Sequence, residues 1–395
     1  MSKKILFVTD EMTLGGVSRV LNNLLQELGA NTSHEIDVLV LHKHGEMLKD
    51  IPANIRVIEG SPFFKVIDQP LNQVIKSKNL RLILNKLYLL FLMKTGSIGK
   101  KIQAERKKMK LDSYDVEIAF KEGFCTIFVA YGNSRKKINW VHLDYKKQNF
   151  SANHMPLMKK VLQLIDENVA VSRVAAKSYQ EVFGLKEEVK VIHNVIQEKM
   201  IKEKSKQEVP QEYVKLFKGD ALTFISVGRL VEQKGYDRLI NIHRRLMSEG
   251  VDHQIMIIGS GEDEAALRQA IEEFGCQETF KLIGFKENPF AYFKLADCFL
   301  LPSRYEGLPT VVFESFICKT PVIATEVAGI EEQLKGDQYG LVTENNEDKF
   351  YEAMKNVLVN PSLLTAMRQN LENYHYKNSV IIDQFNQLVE GTYGK

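Results

Sequence analysis

Four cysteines are few for 395 residues, and Cys125, Cys276, Cys298 and Cys318 stand far apart without a C-x-x-C pair. A disulfide miniprotein is thereby excluded, and the thiols read as buried in a reducing compartment. Long apolar runs are also lacking: the most conspicuous, Leu87 to Met93, falls far short of the roughly 18 residues that span a bilayer. The amino terminus enters an apolar run at once and leaves it within about five residues, too soon for a signal peptide. Charge of one sign is scarce in sum, since 53 basic and 50 acidic residues give +3. That balance does not announce a nucleic-acid binder. With 44% hydrophobic and 26% charged residues, disorder and collagen-like repeats are excluded as well. The expectation is a cytoplasmic chain, or one attached to a membrane from its inner face.

What is present is an alternation of short β-branched runs with longer segments of helical period, the pattern of parallel sheets in an α/β protein. Runs at Ile5 to Val8, Ile36 to Leu41, Val116 to Ala119, Ile138 to Val141 and Asn168 to Val171 form one series. Leu222 to Val227, Gln254 to Ile258, Thr279 to Leu282, Cys298 to Leu301 and Pro321 to Ala324 form another. Two Rossmann-like domains are predicted, over 1–196 and 220–375, facing across a cleft because open α/β sheets bind ligands beyond the carboxyl ends of their strands. Residues 197–219, rich in Lys, Glu and Gln, have the composition of a linker with an exposed helix. A terminal helix over 376–395 carries an apolar stripe through Ile381, Ile382, Phe385 and Leu388, so it must pack on something, with the first domain as the candidate.

Two segments carry the chemistry. In Ser303-Arg-Tyr-Glu306-Gly-Leu-Pro-Thr-Val-Val-Phe-Glu314, a strand ends, a loop follows, and Pro309 is placed to open a helix. Helix starts expose unpaired amides that suit a phosphate or a sugar hydroxyl. Glu306 and Glu314 can each accept paired hydrogen bonds from vicinal diols, or form a solvated acidic pair. In Phe224-Ile-Ser-Val-Gly-Arg229-Leu-Val-Glu-Gln-Lys234-Gly, a planar fork and a point charge follow a strand, a combination suited to diphosphate oxygens. No D-x-D pair, H-x-x-x-H or cysteine cluster appears. Nor does the first βα turn, Asp10 to Gly16, contain the G-x-G-x-x-G that a dehydrogenase would need.

In this order and spacing the segments resemble the retaining glycosyltransferases of the GT-B fold, the GT4 family. The resemblance rests on Glu306 and Glu314 with seven residues between them, on Gly228, Arg229, Lys234 and Gly235, and on Ile257-Ile-Gly-Ser-Gly-Glu262, Leu282-Ile-Gly-Phe285 and Gly15-Gly16-Val-Ser-Arg. It spans residues 5 to about 345. It implies that Glu314 binds the donor ribose, that Glu306 binds the transferred sugar, and that Arg229 and Lys234 hold the departing diphosphate. The backbone at Gly15, Gly16, Gly259, Gly261, Gly307, Leu308, Pro309 and Thr310 would approach sugar and diphosphate, and Phe285 would line the base pocket, UDP being the preferred nucleotide. Trp140-Val-His142-Leu-Asp144 matches a segment of bacterial envelope members and implies His142 beside the transferred sugar; Glu122 and Asp144 are weaker acceptor candidates. Transfer would proceed with retention, the leaving phosphate taking the acceptor's proton. No cofactor or metal is expected, since cations and a helix start can replace a divalent ion.

Between residues 63 and 110 the local balance departs from the global one: twelve Lys and Arg face only Asp68 and Glu105, interleaved with leucines and aromatics. Such a stretch suits an anionic membrane interface, although helices covering a sheet also carry outward lysines. No RNA-binding motif accompanies it, so no nucleic acid is expected. The expected acceptor is a lipid-linked saccharide in envelope or capsular polysaccharide synthesis at the inner membrane face. Alternatives are the same chemistry on a soluble acceptor, or a silent nucleotide-sugar sensor or assembly subunit.

Overall fold

The computed structural model describes residues 2–67, 69–111, 113–147, 154–217, 219 and 221–393; Asp68 lies outside them. The chain divides into two compact units, residues 1–195 with 378–395, and residues 196–377.

The first unit is built on seven parallel strands: β1 (Lys4–Thr9), β2 (Glu35–Val40), β3 (Arg56–Glu59), β4 (Val116–Ala119), β5 (Lys136–Val141), β6 (Glu167–Ala170) and β7 (Lys190–Val191). Their order is β3-β2-β1-β4-β5-β6-β7, with Ile5 opposite both Ile36 and Val116. The order reverses between β1 and β4, so the loops beyond these strands diverge and leave a crevice at their carboxyl ends. Strands buried on both faces need continuous apolar runs, and β1 supplies Ile5, Leu6, Phe7 and Val8, all fully buried. Helix α1 (Gly16–Asn31) covers the sheet with Val20, Leu21, Leu24, Leu25 and Leu28, one stripe at helical spacing. Then come α2 (Leu71–Lys76), α3 (Leu80–Thr95), α4 (Ile98–Lys108), α5 (Phe124–Ala130), α6 (His154–Val161) and α7 (Arg173–Phe183).

The basic segment does not face outward as a whole. Arg106 is buried and forms a fork with the buried Glu117, at 3.0 and 2.6 Å. Lys86 is buried with its ammonium donating to the Val66 carbonyl at 2.7 Å, and Lys101 pairs with Glu105 at 2.8 Å. The expected basic surface thus narrows, because a cation with a buried partner on β4 or in the Pro62–Val66 turn is drawn inward.

The second unit opens with α8 (Glu198–Lys204) and α9 (Gln211–Phe217). Where a linker with an exposed helix was expected over 197–219, residues 198–204 and 211–217 form two helices of this unit, with Ile201 and Val209 buried. Six parallel strands follow: β8 (Leu222–Val227), β9 (His253–Ile258), β10 (Phe280–Leu282), β11 (Cys298–Leu301), β12 (Val322–Thr325) and β13 (Gly340–Thr343). Their order, β10-β9-β8-β11-β12-β13, reverses between β8 and β11. The connecting helices are α10 (Tyr236–Ser248), α11 (Glu264–Glu273), α12 (Phe290–Leu295), α13 (Thr310–Ile317) and α14 (Ile330–Leu334), with α15 (Glu347–Val359) and α16 (Ser362–Leu371) after β13.

Helix α17 (Asn378–Glu390) belongs to the first unit. Its Phe385 is fully buried, stacks on Phe7 at 6.0 Å and lies 6.4 Å from Trp140. All four cysteines are buried free thiols.

Candidate functional site

In the second unit, the loops that follow β8 and β11 are pinned to one another. The Arg304 amide donates to the Gln233 carbonyl at 2.7 Å, and the Gln233 side-chain amide donates to the Tyr305 carbonyl at 2.8 Å. Gly235 has φ +69°, and a Cβ there would sit 2.2 Å from the Pro302 carbonyl oxygen, so only glycine permits this approach. Pinning brings together side chains 72 residues apart in sequence: the Lys234 ammonium lies 2.6 Å from Glu306 Oε1, and the Ser303 hydroxyl donates to the same oxygen at 2.8 Å. Glu306 is thus held in one orientation by two donors. The ammonium spends one of its three protons there, leaving two to offer.

Arg229, one residue past the β8 turn at Gly228, is exposed and has no acidic partner among the described residues. The nearby Arg304 is different: it forks onto Asp237 at 2.8 and 2.6 Å and braces the loop. Helix α13 begins after Pro309 with no side-chain cap; the Val312 amide donates to the Pro309 carbonyl at 3.1 Å, which leaves the Thr310 and Val311 amides for an anion or hydroxyl. Gly307, Leu308 and Pro309 are buried, Thr310 is half-buried, and Glu314, about one turn into α13, is buried. Phe285, just beyond β10, is 55% exposed, which is unusual for a phenyl ring. Gly259 and Gly261 have a packing reason to be glycine: Cβ atoms there would lie 1.8 Å from the Gly228 carbonyl oxygen and 2.2 Å from that of Leu230.

In the first unit, a second group gathers beyond β1, β4 and β5. His142 follows β5, is buried, and lies with its ring 4.9 Å from that of Phe120. Its Nε2 is 2.8 Å from the Phe120 carbonyl oxygen. A carbonyl only accepts, so Nε2 carries the proton and the neutral ring presents Nδ1 as an acceptor. Burial, with Lys121 adding to it against the Phe120 hydrogen bond, pulls this imidazole down to about 4. Glu122, beyond β4, accepts the His142 backbone N–H at 3.2 Å. Burial pushes its carboxyl up to about 7, against the backbone hydrogen bonds and Lys121.

Three members of this group were not singled out in the sequence. Lys121 pairs with Asp10 at 2.6 Å and lies 3.9 Å from Glu11. Burial opposes its charge, but Asp10 prevails and raises its pKa. Asp10 and Lys121 are far apart along the chain and meet only because β1 and β4 pair. The available signal was their placement directly after two neighbouring strands. Asp144, by contrast, accepts the Lys146 amide at 3.0 Å and braces the turn at Tyr145–Lys147. Gly15 and Gly16 begin α1 with no side-chain cap and with open space where a Cβ would project.

Comparison with known proteins follows the same division. Residues 210–377 match the family of group 1 glycosyl transferases. That match covers most of the second unit. An uncharacterised glycosyltransferase of Methanocaldococcus jannaschii is 30% identical over 199 residues, 49% of each chain. A Campylobacter jejuni relative, 32% identical over 146 residues (36% of this chain, 39% of that one), is named N-acetylgalactosamine-N,N'-diacetylbacillosaminyl-diphospho-undecaprenol 4-alpha-N-acetylgalactosaminyltransferase. The amylovoran biosynthesis glycosyltransferase AmsD of Erwinia amylovora is 30% identical over 156 residues, 39% of this chain and 42% of that one. These alignments span half or less of each relative. Among solved structures, Anabaena HepE in complex with UDP and glucose superposes with a TM-score of 0.73 at 15% identity, covering 98% of this chain and 100% of that one. The two parallel-sheet units are thus the GT-B architecture, and no helix among the described residues is long and apolar enough to cross a membrane.

Proposed function

We propose that this glycosyltransferase moves a sugar from a nucleoside diphosphate donor, preferably UDP-linked, to a lipid-linked saccharide in envelope or capsular polysaccharide synthesis. The observation that carries the reading is the Lys234–Glu306–Ser303 cluster at the β8/β11 reversal, with the exposed Arg229, which has no acidic partner among the described residues, on the same β8 loop. A carboxylate oriented by two donors is ready for sugar hydroxyls, and two cations with an uncapped helix start are ready for a diphosphate. The lipid-linked acceptor is supported by the name of the Campylobacter relative, and polysaccharide assembly by that of the Erwinia one.

In this reading the bond from the anomeric carbon to the diphosphate breaks, and a bond to the acceptor oxygen forms on the same face. The acceptor's proton passes to the leaving phosphate oxygen. Arg229, Lys234 and the α13 amides stabilise the charge that develops on the diphosphate, so the step needs no divalent ion. Glu314 holds the ribose, Phe285 packs on the base, and His142 Nδ1 accepts from a sugar hydroxyl. Glu122 receives the acceptor. The test is transfer from a panel of nucleotide sugars to a polyprenyl-diphosphate saccharide, with EDTA present and the product anomer read by NMR. Retained configuration in EDTA is the expected result; an inverted product or abolition by the chelator would overturn the mechanism.

A further inference from the structure

Half of the molecule's exposed large hydrophobic residues fall within one short stretch: seven of fourteen among the described residues lie between Ile75 and Phe91. Most are on α3. Its inner face is anchored, with Leu89 and Leu92 in the core of the first unit and Lys86 bonded to the Val66 carbonyl. Its outer face is apolar too, with Leu80, Leu84, Leu87, Tyr88 and Phe91 at i, i+4, i+7, i+8 and i+11, and exposures up to 69%. At about 100° per residue these five lie within roughly a quarter-turn of one another. A helix that is apolar all round is ordinarily buried on all sides, and this one is covered on one.

Charge selects what covers the other. Residues 69–104 contain no Asp or Glu, while Lys76, Lys78, Arg81, Lys94 and Lys100 are exposed around α3. Two copies of this face would oppose their cations, which disfavours self-association. An anionic bilayer matches both the apolar strip and its cationic border.

We propose that α3 is an interfacial anchor, lying in the headgroup region of an anionic membrane with Leu80, Leu84, Leu87, Tyr88 and Phe91 inserted. This deepens the reading of a lipid-linked acceptor, on which it rests, by naming the surface on which that acceptor is met. The anchor is coupled to the group in the first unit through consecutive ring contacts: Tyr88 to Phe63 at 6.1 Å, Phe63 to Phe64 at 5.5 Å, and Phe64 to Phe124 at 5.9 Å. Phe124 lies two residues beyond Glu122. Packing is thus continuous from α3 to the start of α5, next to the loop that carries Glu122.

The test is co-sedimentation of the full chain with vesicles of phosphatidylglycerol and phosphatidylethanolamine, against vesicles of phosphatidylcholine alone. Three proteins are compared: wild type, Leu84→Gln/Phe91→Gln, and Lys76→Gln/Arg81→Gln/Lys94→Gln. The expected result is binding to the anionic vesicles at low salt, weakened about tenfold or more by the apolar pair and about fivefold per neutralised cation. Substitutions at exposed positions leave the fold and UDP release from a soluble donor unchanged. Absence of vesicle binding would overturn the proposal, as would binding that both variants keep. Self-association of the wild type without vesicle binding, lost in the apolar pair, would assign the face to a second copy and overturn it too. If vesicles are bound while no nucleotide sugar is ever turned over, the anchor stands and the transferase reading fails.

Discussion

Glu122 and His142 sit at neighbouring strand ends, and burial moves them in opposite senses, the carboxyl up to about 7 and the imidazole down to about 4. Environments that drive a pair of pKa values apart in this way assign the groups different protonation roles. At neutral pH burial keeps His142 uncharged, with Nδ1 as the ring's acceptor, and lifts Glu122 toward the neutral range. If ionised Glu122 receives the acceptor hydroxyl, transfer rises as pH passes upward through about 7, and Glu122→Gln removes that limb from the pH profile of kcat/KM. A limb that survives in the variant would put the titrating group elsewhere. Lys234 and Glu306 were each singled out by their own segments, after β8 and after β11, but neither segment announced the contact that joins them across 72 residues. The Asp10–Lys121 pair was not legible, since nothing local in either segment announces the other.

At the level of elements, buried parallel strands announced themselves through continuous apolar runs, as in Ile5 to Val8 or Cys298 to Leu301. Strands β3, β7 and β13, at or near sheet edges and only partly buried, lacked that signature. The direction faced by α4 was also hidden, because Arg106 turns inward only to meet Glu117 on β4. Removing one member of such a buried fork strands the other charge, so Arg106→Ala costs about 3–5 kcal/mol in denaturant unfolding. A loss below about 1 kcal/mol would mean that Glu117 finds another partner. Between α10 and β9, His243 and His253 are hydrogen-bonded at 2.8 Å, both buried. Burial, reinforced by His253, lowers His243 to about 3. The unfolded chain protonates below about 6.5 while the folded one does not, so stability falls as pH drops from about 6.5 toward 3. The contribution of His243 is about 2 kcal/mol at pH 5. Thermal melts at pH 7 and pH 5 check it, with a smaller difference expected in His243→Asn.

The GT-B architecture consists of two parallel-sheet units, and the chain leaves the first at 195 only to rejoin it at 378. The twofold doubling was legible because each unit repeats the same strand-and-turn grammar. The net charge of +3 hid a surface without acids around α3. Phe385 completes the first unit's core, and Phe385→Ala costs about 3–5 kcal/mol there. Trp140, the single tryptophan, lies 6.4 Å away and reports that loss as a lower midpoint in fluorescence-monitored unfolding. On the proposed function, the second unit binds and activates a nucleotide sugar through Lys234 and Glu306. The most direct test of that reading is UDP release from UDP-sugars by the wild type, Lys234→Ala and Glu306→Gln, each shown to be folded by circular dichroism. Slow release by the wild type, reduced about a hundredfold or more in both variants, is the predicted result; equal release by all three, or none and no UDP binding by the wild type, would contradict it.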